Sequence, residues 1–417
     1  MAAAPQTLAQ KLVAKACGRA AVAPGEIVTC KVDLAMMHDS GGPRRVKPML
    51  ERLGAKVWDP AKVVVVTDHY VPAEDEESRR IVRIAREWAR EAGVEAFYDE
   101  QGICHVVVPE RGHLRPGMFA VGGDSHSPTG GAFAAYMFGV GATEMLGVLV
   151  TGEIWLKVPQ TIAMDFSGRF APGVCAKDVM LFLVGRFGLD GGQYQAVEYR
   201  GAAIRALPMQ ERMTLCNMAA ELGAQTGLIA SDEVTFQYLN SREKSIWQSD
   251  DGASLLAHHR FKAEELAPQV AAPHSPANAK DAGAFRDVTL DLAYLGACTG
   301  AKLEDLRMAA RVLKGRKSRV KLLVAPASVR DRKAAEEEGV LKVLADAGAE
   351  FLPSSCGLCA GYGASLLPES CVAISSTARN FKGRMGAAGS QVYLGSPYTV
   401  AASAVAGRIV DPREMLA

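Results

Sequence analysis

This chain of 417 residues has almost no net charge: 47 lysines and arginines stand against 46 aspartates and glutamates, which leaves +1 at neutral pH. A general electrostatic pull towards nucleic acid or an anionic membrane is thereby excluded. An anionic ligand has to be drawn by arginine, lysine and histidine placed locally. No stretch reaches the ~20 uninterrupted apolar residues that a membrane-spanning helix needs. The N-terminus, MAAAPQTLAQKLVAKA, lacks the apolar core and cleavage site of a secretion signal. It reads as an amphipathic helix with Leu8, Leu12 and Val13 on one side, and the cytoplasm is the expected location. The glycines of 122–131 are not followed by GKS/T, which excludes a phosphate loop of that type. The nine cysteines are odd in number and scattered, which argues against a disulfide framework. Most are expected to be buried thiols, and only Cys356 and Cys359 stand as a CxxC pair.

What is present is an α/β pattern throughout. The chain is too long for a single core, so two or three domains are expected. Val63-Val64-Val65-Val66 is a β-branched run of the kind that forms a buried strand, and the charged stretch from Glu76 to Ala92 reads as the helix after it. Val320 to Val324 reads as another strand, Ala334 to Ala347 as a helix, and Glu350-Phe351-Leu352 as a strand leading to Cys356. Val372 to Ser376 repeats the arrangement. Such alternation implies helices covering both faces of mainly parallel sheets, with functional groups beyond the carboxyl ends of the strands. The Ala-, Pro- and Asn-rich segment from Glu264 to Phe285 reads as a linker. The expected division is 1–159, 160–284 and 285–417.

Five short segments concentrate catalytic residue types: Met36 to Gly42, Thr67-Asp68-His69, Gly102 to His105, Gly122 to Gly131, and Cys216 to Glu221. A single His beside an Asp is most often a structural pair, but four of the eight histidines fall in these segments, each at an expected strand end or loop. A histidine held by a carboxylate keeps one tautomer and stays basic, which suits proton transfer. In the last third, Cys298 on a small-residue loop joins Cys356 and Cys359. Three thiolates without an evident fourth ligand fit an iron–sulfur cluster with one open iron better than structural zinc, although a single CxxC is by itself more often a redox motif or a chance pair. Cys371 opens an apolar strand and reads as a buried hydrophobe. The loop from Ser375 to Arg384 places Arg379 and Arg384 after a strand, and arginine forks match carboxylates.

Taken together, VDLAMMHD at 32–39, GDSHSPTGG, MTLCNMAAELGA, GACTG, CGLC, ARNFKGR and the closing GSPYTVAASAVAGRIVDP at 395–412 resemble the aconitase superfamily, in particular its large subunits of the isopropylmalate isomerase and homoaconitase type. The match runs through nearly the whole chain. It implies three α/β/α domains with mainly parallel sheets around a central [4Fe–4S] site, with Cys298, Cys356 and Cys359 as ligands. It also implies three acid–base pairs, Asp68 with His69, Asp124 with His105 and Glu221 with His126. The first of these would protonate a departing hydroxyl. By the same resemblance Ser125 and Asn217 line the cluster pocket, His38 contacts substrate, and Arg379 and Arg384 hold substrate carboxylates. The implied activity is hydro-lyase chemistry on a malate-type di- or tricarboxylic acid: isopropylmalate, homoaconitate, citramalate or dimethylmalate. The family's swivelling domain finds no match, so the resemblance implies a separate small subunit in a heterodimer or heterotetramer, with neither nucleic acid nor membrane as partner. An alternative is the cluster-free RNA-binding role taken by some relatives, against which the lack of a basic stripe argues. Four positions depart from the family pattern: Ala297 stands where serine is usual, Gly300 and Ala378 where asparagine is usual, and Lys302 where arginine is usual.

Overall fold

The computed structural model describes residues 4–416 apart from Glu243 and Ala364. Its first sheet has five parallel strands, in the spatial order Ala96–Asp99, Val63–Thr67, Leu34–His38, Phe119–Gly122, Tyr136–Gly139. The valine run forms the strand expected of it, and all five of its residues are buried. Successive side chains point to opposite faces. Val64 and Val66 therefore enter one apolar core while Val63 and Val65 enter another. The helix Glu76–Glu91 starts where the Asp75 side chain accepts from the Ser78 N–H, with Glu76 and Glu77 favourably placed in its first turn. The N-terminal helix Leu8–Ala16 opens on a capping box of Thr7 and Gln10 and buries Leu8, Leu12 and Val13.

A second sheet of four parallel strands follows, ordered Thr226–Leu228, Ala196–Arg200, Thr161–Ser167, Ala257–Lys262. Its inward residues Ile162, Met164, Phe166 and Val197 share one continuous core with Leu34, Met36, Val64 and Val66 of the first sheet. The third sheet has seven strands, in the order Ala279–Asp281, Gln269–Ala271, Gln391–Gly395, Val372–Ser375, Leu292–Leu295, Lys321–Val324, Ala349–Phe351. The last five are parallel and the first two antiparallel. Helices Leu303–Leu313 and Pro397–Ala406 pack on one of its faces. The molecule is thus an α/β protein of mainly parallel sheets. No helix among the described residues is long and apolar enough to cross a membrane.

Three expectations need correction. The segment from Glu264 to Phe285 is not a free connection. Its strands Gln269–Ala271 and Ala279–Asp281 extend the third sheet, anchored by the fully buried Val270. The single helix expected over Ala334 to Ala347 is two, Val329–Glu337 and Val340–Asp346, because Gly339 adopts a left-handed backbone (φ +74°) between them. His105 lies neither at a strand end nor on a loop but in the helix Cys104–Glu110.

Candidate active site

His38 is the last residue of its strand, Asp68 and His69 follow Thr67 directly, and Asp124 comes two residues after Gly122. These three strands are neighbours and parallel, so their carboxyl ends deliver the groups to one edge, as open α/β sheets do. The third sheet does the same. Leu292–Leu295 leads to Cys298, Ala349–Phe351 to Cys356, and Val372–Ser375 to Arg379 and Arg384. Both edges line one cleft of about 260 Å³, whose walls include His38, His69, His105, Asp124, Ser125, His126, Cys298, Cys356, Cys359, Arg379 and Arg384. Asp68, Asn217 and Glu221 stand one bond behind, holding His69, Cys298 and His126 respectively. The structure therefore gathers every residue singled out from the sequence at one place.

Each histidine nitrogen here has a definable task. His69 Nδ1 meets Asp68 Oδ1 at 2.6 Å, while the other carboxylate oxygen accepts from the Cys104 N–H at 2.7 Å. Nε2 of His69 is left towards the cleft, 4.0 Å from Asp124 Oδ2. Burial opposes a charge on His69, but the carboxylates of Asp68, Asp124 and Asp39 outweigh it and lift its pKa to about 10. Asp68 is held down at about 2: burial works the other way, and the His69 charge and hydrogen bond overcome it. The His38 ring stacks on His69 with centroids 4.1 Å apart. Burial and the neighbouring His69 charge push the His38 pKa down, so it stays neutral. Nδ1 of His38 accepts from the Gly41 N–H and its Nε2 lies 3.1 Å from the Gly123 carbonyl oxygen, which fixes the tautomer.

Asp124 is the hub of this wall. His105 Nε2 lies 2.7 Å from its Oδ1, the His126 N–H donates to the same oxygen, and His38 and His69 approach its Oδ2. Burial would raise its pKa, yet His105, His126 and His38 hold it well below the usual carboxylate range. Glu221 Oε1 accepts from Arg379 Nε at 2.6 Å and meets His126 Nε2 at 2.9 Å. Against the effect of burial, these two partners keep Glu221 at about 2.

The opposite wall carries the thiols. All nine cysteines are free. A hydrogen bond from Cys356 to Cys359 is the main cause of a Cys359 pKa of about 6. Burial opposes it, and Arg384, His126 and Lys177 assist. Burial and the Cys359 charge push Cys298 up to about 12. Asn217 Nδ2 donates to Cys298 Sγ at 3.2 Å, and Arg384 Nε donates to the Cys359 carbonyl at 2.8 Å. Ala297, immediately before Cys298, has φ +70°, a strained conformation for a non-glycine residue next to a functional group. Three thiols on one cleft, those of Cys298 and Cys359 buried and that of Cys356 partly exposed, with cations acting on Cys359, suit a group that takes three thiolates. Asn217 Oδ1 and Glu221 Oε2 are buried without a hydrogen-bond partner among the described residues, which leaves polar atoms beside the thiols for a bound group or water to satisfy.

Other residues at the site escaped the sequence reading. Asp39 accepts from the backbone N–H groups of Asp68, His69 and Tyr70, and so pins the loop that carries His69. Tyr362 lines the cleft and its hydroxyl meets that of Tyr70 at 3.2 Å, bridging the two walls. Lys177 is 1% exposed, and its Nζ reaches Thr299 Oγ1 and the carbonyls of Ser376 and Thr377. Burial draws its pKa down to about 8, against Glu221, Cys298 and Cys359. Lys302, noted only as a departure from the family, bonds Thr214 Oγ1, the Cys298 carbonyl and Asp305. Gly300 also finds its reason: a Cβ there would lie 2.2 Å from Ser376 Cβ, so no asparagine fits this loop. Of these, only the polar pair Lys177-Asp178 within the apolar run VCAKDVML was open to notice beforehand.

Comparisons with known proteins give the chain's relatives. The chain matches the Aconitase family (aconitate hydratase) over residues 10–286 and 277–407. It is 43% identical, over 99% of its own length and 100% of the relative's, to the 3-isopropylmalate dehydratase large subunit 1 of Methanopyrus kandleri. It is likewise 43% identical to the probable methanogen homoaconitase large subunit of Methanosarcina mazei, covering 92% of this chain and 99% of that one. Among solved structures, Thermococcus kodakaraensis aconitase X superposes with a TM-score of 0.51 at 14% identity over 84% of each chain, a likeness of fold alone.

Proposed function

The chain belongs to the aconitase family, and from that premise we propose that it is the large subunit of a hydro-lyase that dehydrates and rehydrates a malate-type acid, 3-isopropylmalate or a close relative such as homoaconitate. The observation that carries the reading is the placing of His69: clamped through Nδ1 by Asp68, protonated at neutral pH, with Nε2 turned to the same cleft as three thiols. The large-subunit names of the relatives favour this over a cluster-free RNA-binding role.

In this reading Cys298, Cys356 and Cys359 hold a [4Fe–4S] cluster. When bound, such a group supplies an open iron that weakens the carbon–hydroxyl bond of the substrate as a Lewis acid. The chain's own residues do the rest. Arg379 and Arg384 pair with the substrate carboxylates. Arg379 is steadied through Nε by Glu221 and lines the cleft. His69 gives its Nε2 proton to the departing hydroxyl, and Asp68 keeps the imidazole charged until then. His38, held neutral with Nε2 donating to the Gly123 carbonyl, stacks on the His69 ring and fixes its orientation in the cleft. Asp124 joins His105 and His126 into one network, so that no imidazole turns away from the cleft.

Among the described residues that line the cleft, none stands out as the base that removes the carbon-bound proton. A separate small subunit is therefore part of the proposal, in keeping with relatives named as large subunits. The test is anaerobic reconstitution with iron and sulfide, with and without a candidate small subunit, followed by the absorbance of alkene over a panel of substituted malates. Alkene is expected only with both chains present. Full turnover by this chain alone would refute the need for a partner, and no alkene from any substrate would refute the hydro-lyase reading.

A further inference from the structure

Two lysines of this chain are wholly buried beside the Cys298 loop, and they differ in one respect. Lys302 has its own counter-charge, Asp305 at 2.7 Å. Lys177, on the helix Ala176–Phe187, has three hydrogen bonds, and all go to neutral acceptors: Thr299 Oγ1 at 3.2 Å, the Ser376 carbonyl at 3.1 Å and the Thr377 carbonyl at 2.5 Å. Among the described residues no carboxylate forms an ion pair with it. An ammonium buried without a counter-ion is strongly disfavoured unless charge is supplied from nearby. The negative groups that act on Lys177 are Glu221, Cys298 and Cys359. Glu221 is already committed to Arg379 and His126, so the thiolates are what remains.

The position of Lys177 matches such a task. Thr299 follows Cys298 directly, and Ser376 and Thr377 lead into Ala378 and Arg379 on the cleft wall. One ammonium thus ties the first thiol loop to the arginine loop from behind. Hydrogen bonding alone would not require a charge there. The Thr299 hydroxyl already donates to the Ser376 carbonyl at 3.0 Å, and a neutral donor would serve the Thr377 carbonyl.

We propose that Lys177 is a positioning residue whose buried charge balances the anionic iron–sulfur group held by the three thiolates, and so sets how firmly that group is retained and how readily it is reduced. The inference rests on the cluster reading given above. A fixed cation favours the more negative, reduced state of a nearby cluster, so removing it should drive the reduction potential down.

The experiment compares the wild-type chain with Lys177→Gln, which keeps a donor but no charge, and Lys177→Met, which keeps neither. Each is reconstituted anaerobically with iron and sulfide, then challenged with EDTA and titrated electrochemically. Both variants are expected to fold without iron with a Tm near that of the wild type, to release iron at least tenfold faster, and to show a more negative reduction potential. A Lys177→Gln protein that keeps its iron and its potential would overturn the inference, since hydrogen bonding would then be the whole role. Variants that fail to fold without iron would overturn it equally, because a charge balanced only by the cluster is not needed for folding. A wild-type chain that takes up no iron would instead overturn the cluster reading itself, and this inference with it.

Discussion

On one side of the cleft the charges are already matched: Asp68 holds His69, Asp124 holds His105, and Glu221 holds both His126 and Arg379. On the other side the thiols of Cys298, Cys356 and Cys359 crowd together, and Lys177 behind them has only neutral partners. The difference separates two kinds of preparation. The imidazole wall is organised by hydrogen bonds to its own carboxylates before any ligand arrives. In the proposed reading the thiol wall shares its negative charge with a bound group. Substitutions in the first wall should therefore change the chemistry and leave metal content alone. Those in the second should change metal content first.

The largest effect is expected at the thiols. Cys359→Ser should lose its iron and with it all turnover, measured as iron per chain after reconstitution. His69→Asn should keep its iron while kcat falls by about 10²- to 10⁴-fold, the span of a lost general acid. A variant that loses both would erase the distinction between the walls. Asp68→Asn sharpens the point through pH. With Asp68 present, His69 stays protonated up to about pH 10, so kcat should fall only as pH rises towards that value. Without the carboxylate the fall should begin at lower pH.

Much of this arrangement was legible beforehand. The valine run at 63–66 has no good home but a buried central strand, and His38, Asp68 and His69 sit where strands must end. Cys298 with CxxC, and the arginines after Val372–Ser375, could be read in the same way. What could not be read depends on partners far away in sequence. Gly339 breaks a helix that composition alone favours. The Pro- and Ala-rich stretch before residue 285 becomes strand because Gln391–Gly395 offers it an edge. Lys177 reaches groups 122 and 200 positions away, and nothing local marks it as more than a polar residue on an apolar helix.

A smaller effect is expected where the Cys298 loop meets the Ser376 loop. Gly300→Asn, which would restore the residue usual in the family, should destabilise this chain by about 1–3 kcal/mol, the range for forcing atoms into a packed site. The result can be read by denaturant unfolding of the iron-free protein. A last effect, read only as a pH dependence, lies on the seam that joins the two walls, where Glu110 bonds Ser328 and faces Asp331. Burial, then the Asp331 charge, lifts Glu110 to about 8 from an ordinary 4.5. Between those values the folded chain binds a proton that the unfolded chain has lost. The stabilisation is present in full below pH 4.5 and disappears as pH rises to about 8. Glu110→Gln should flatten that part of the stability curve.

The central claim is that three thiols from one sheet edge jointly hold an iron–sulfur group opposite the protonated His69. It is tested most directly by iron and sulfide analysis of the anaerobically reconstituted chain beside its Cys298→Ser variant. The expected result is iron and sulfide together in the wild type, with brown absorbance, and their loss in the variant. Zinc alone in the wild type, or iron kept undiminished without Cys298, would contradict it.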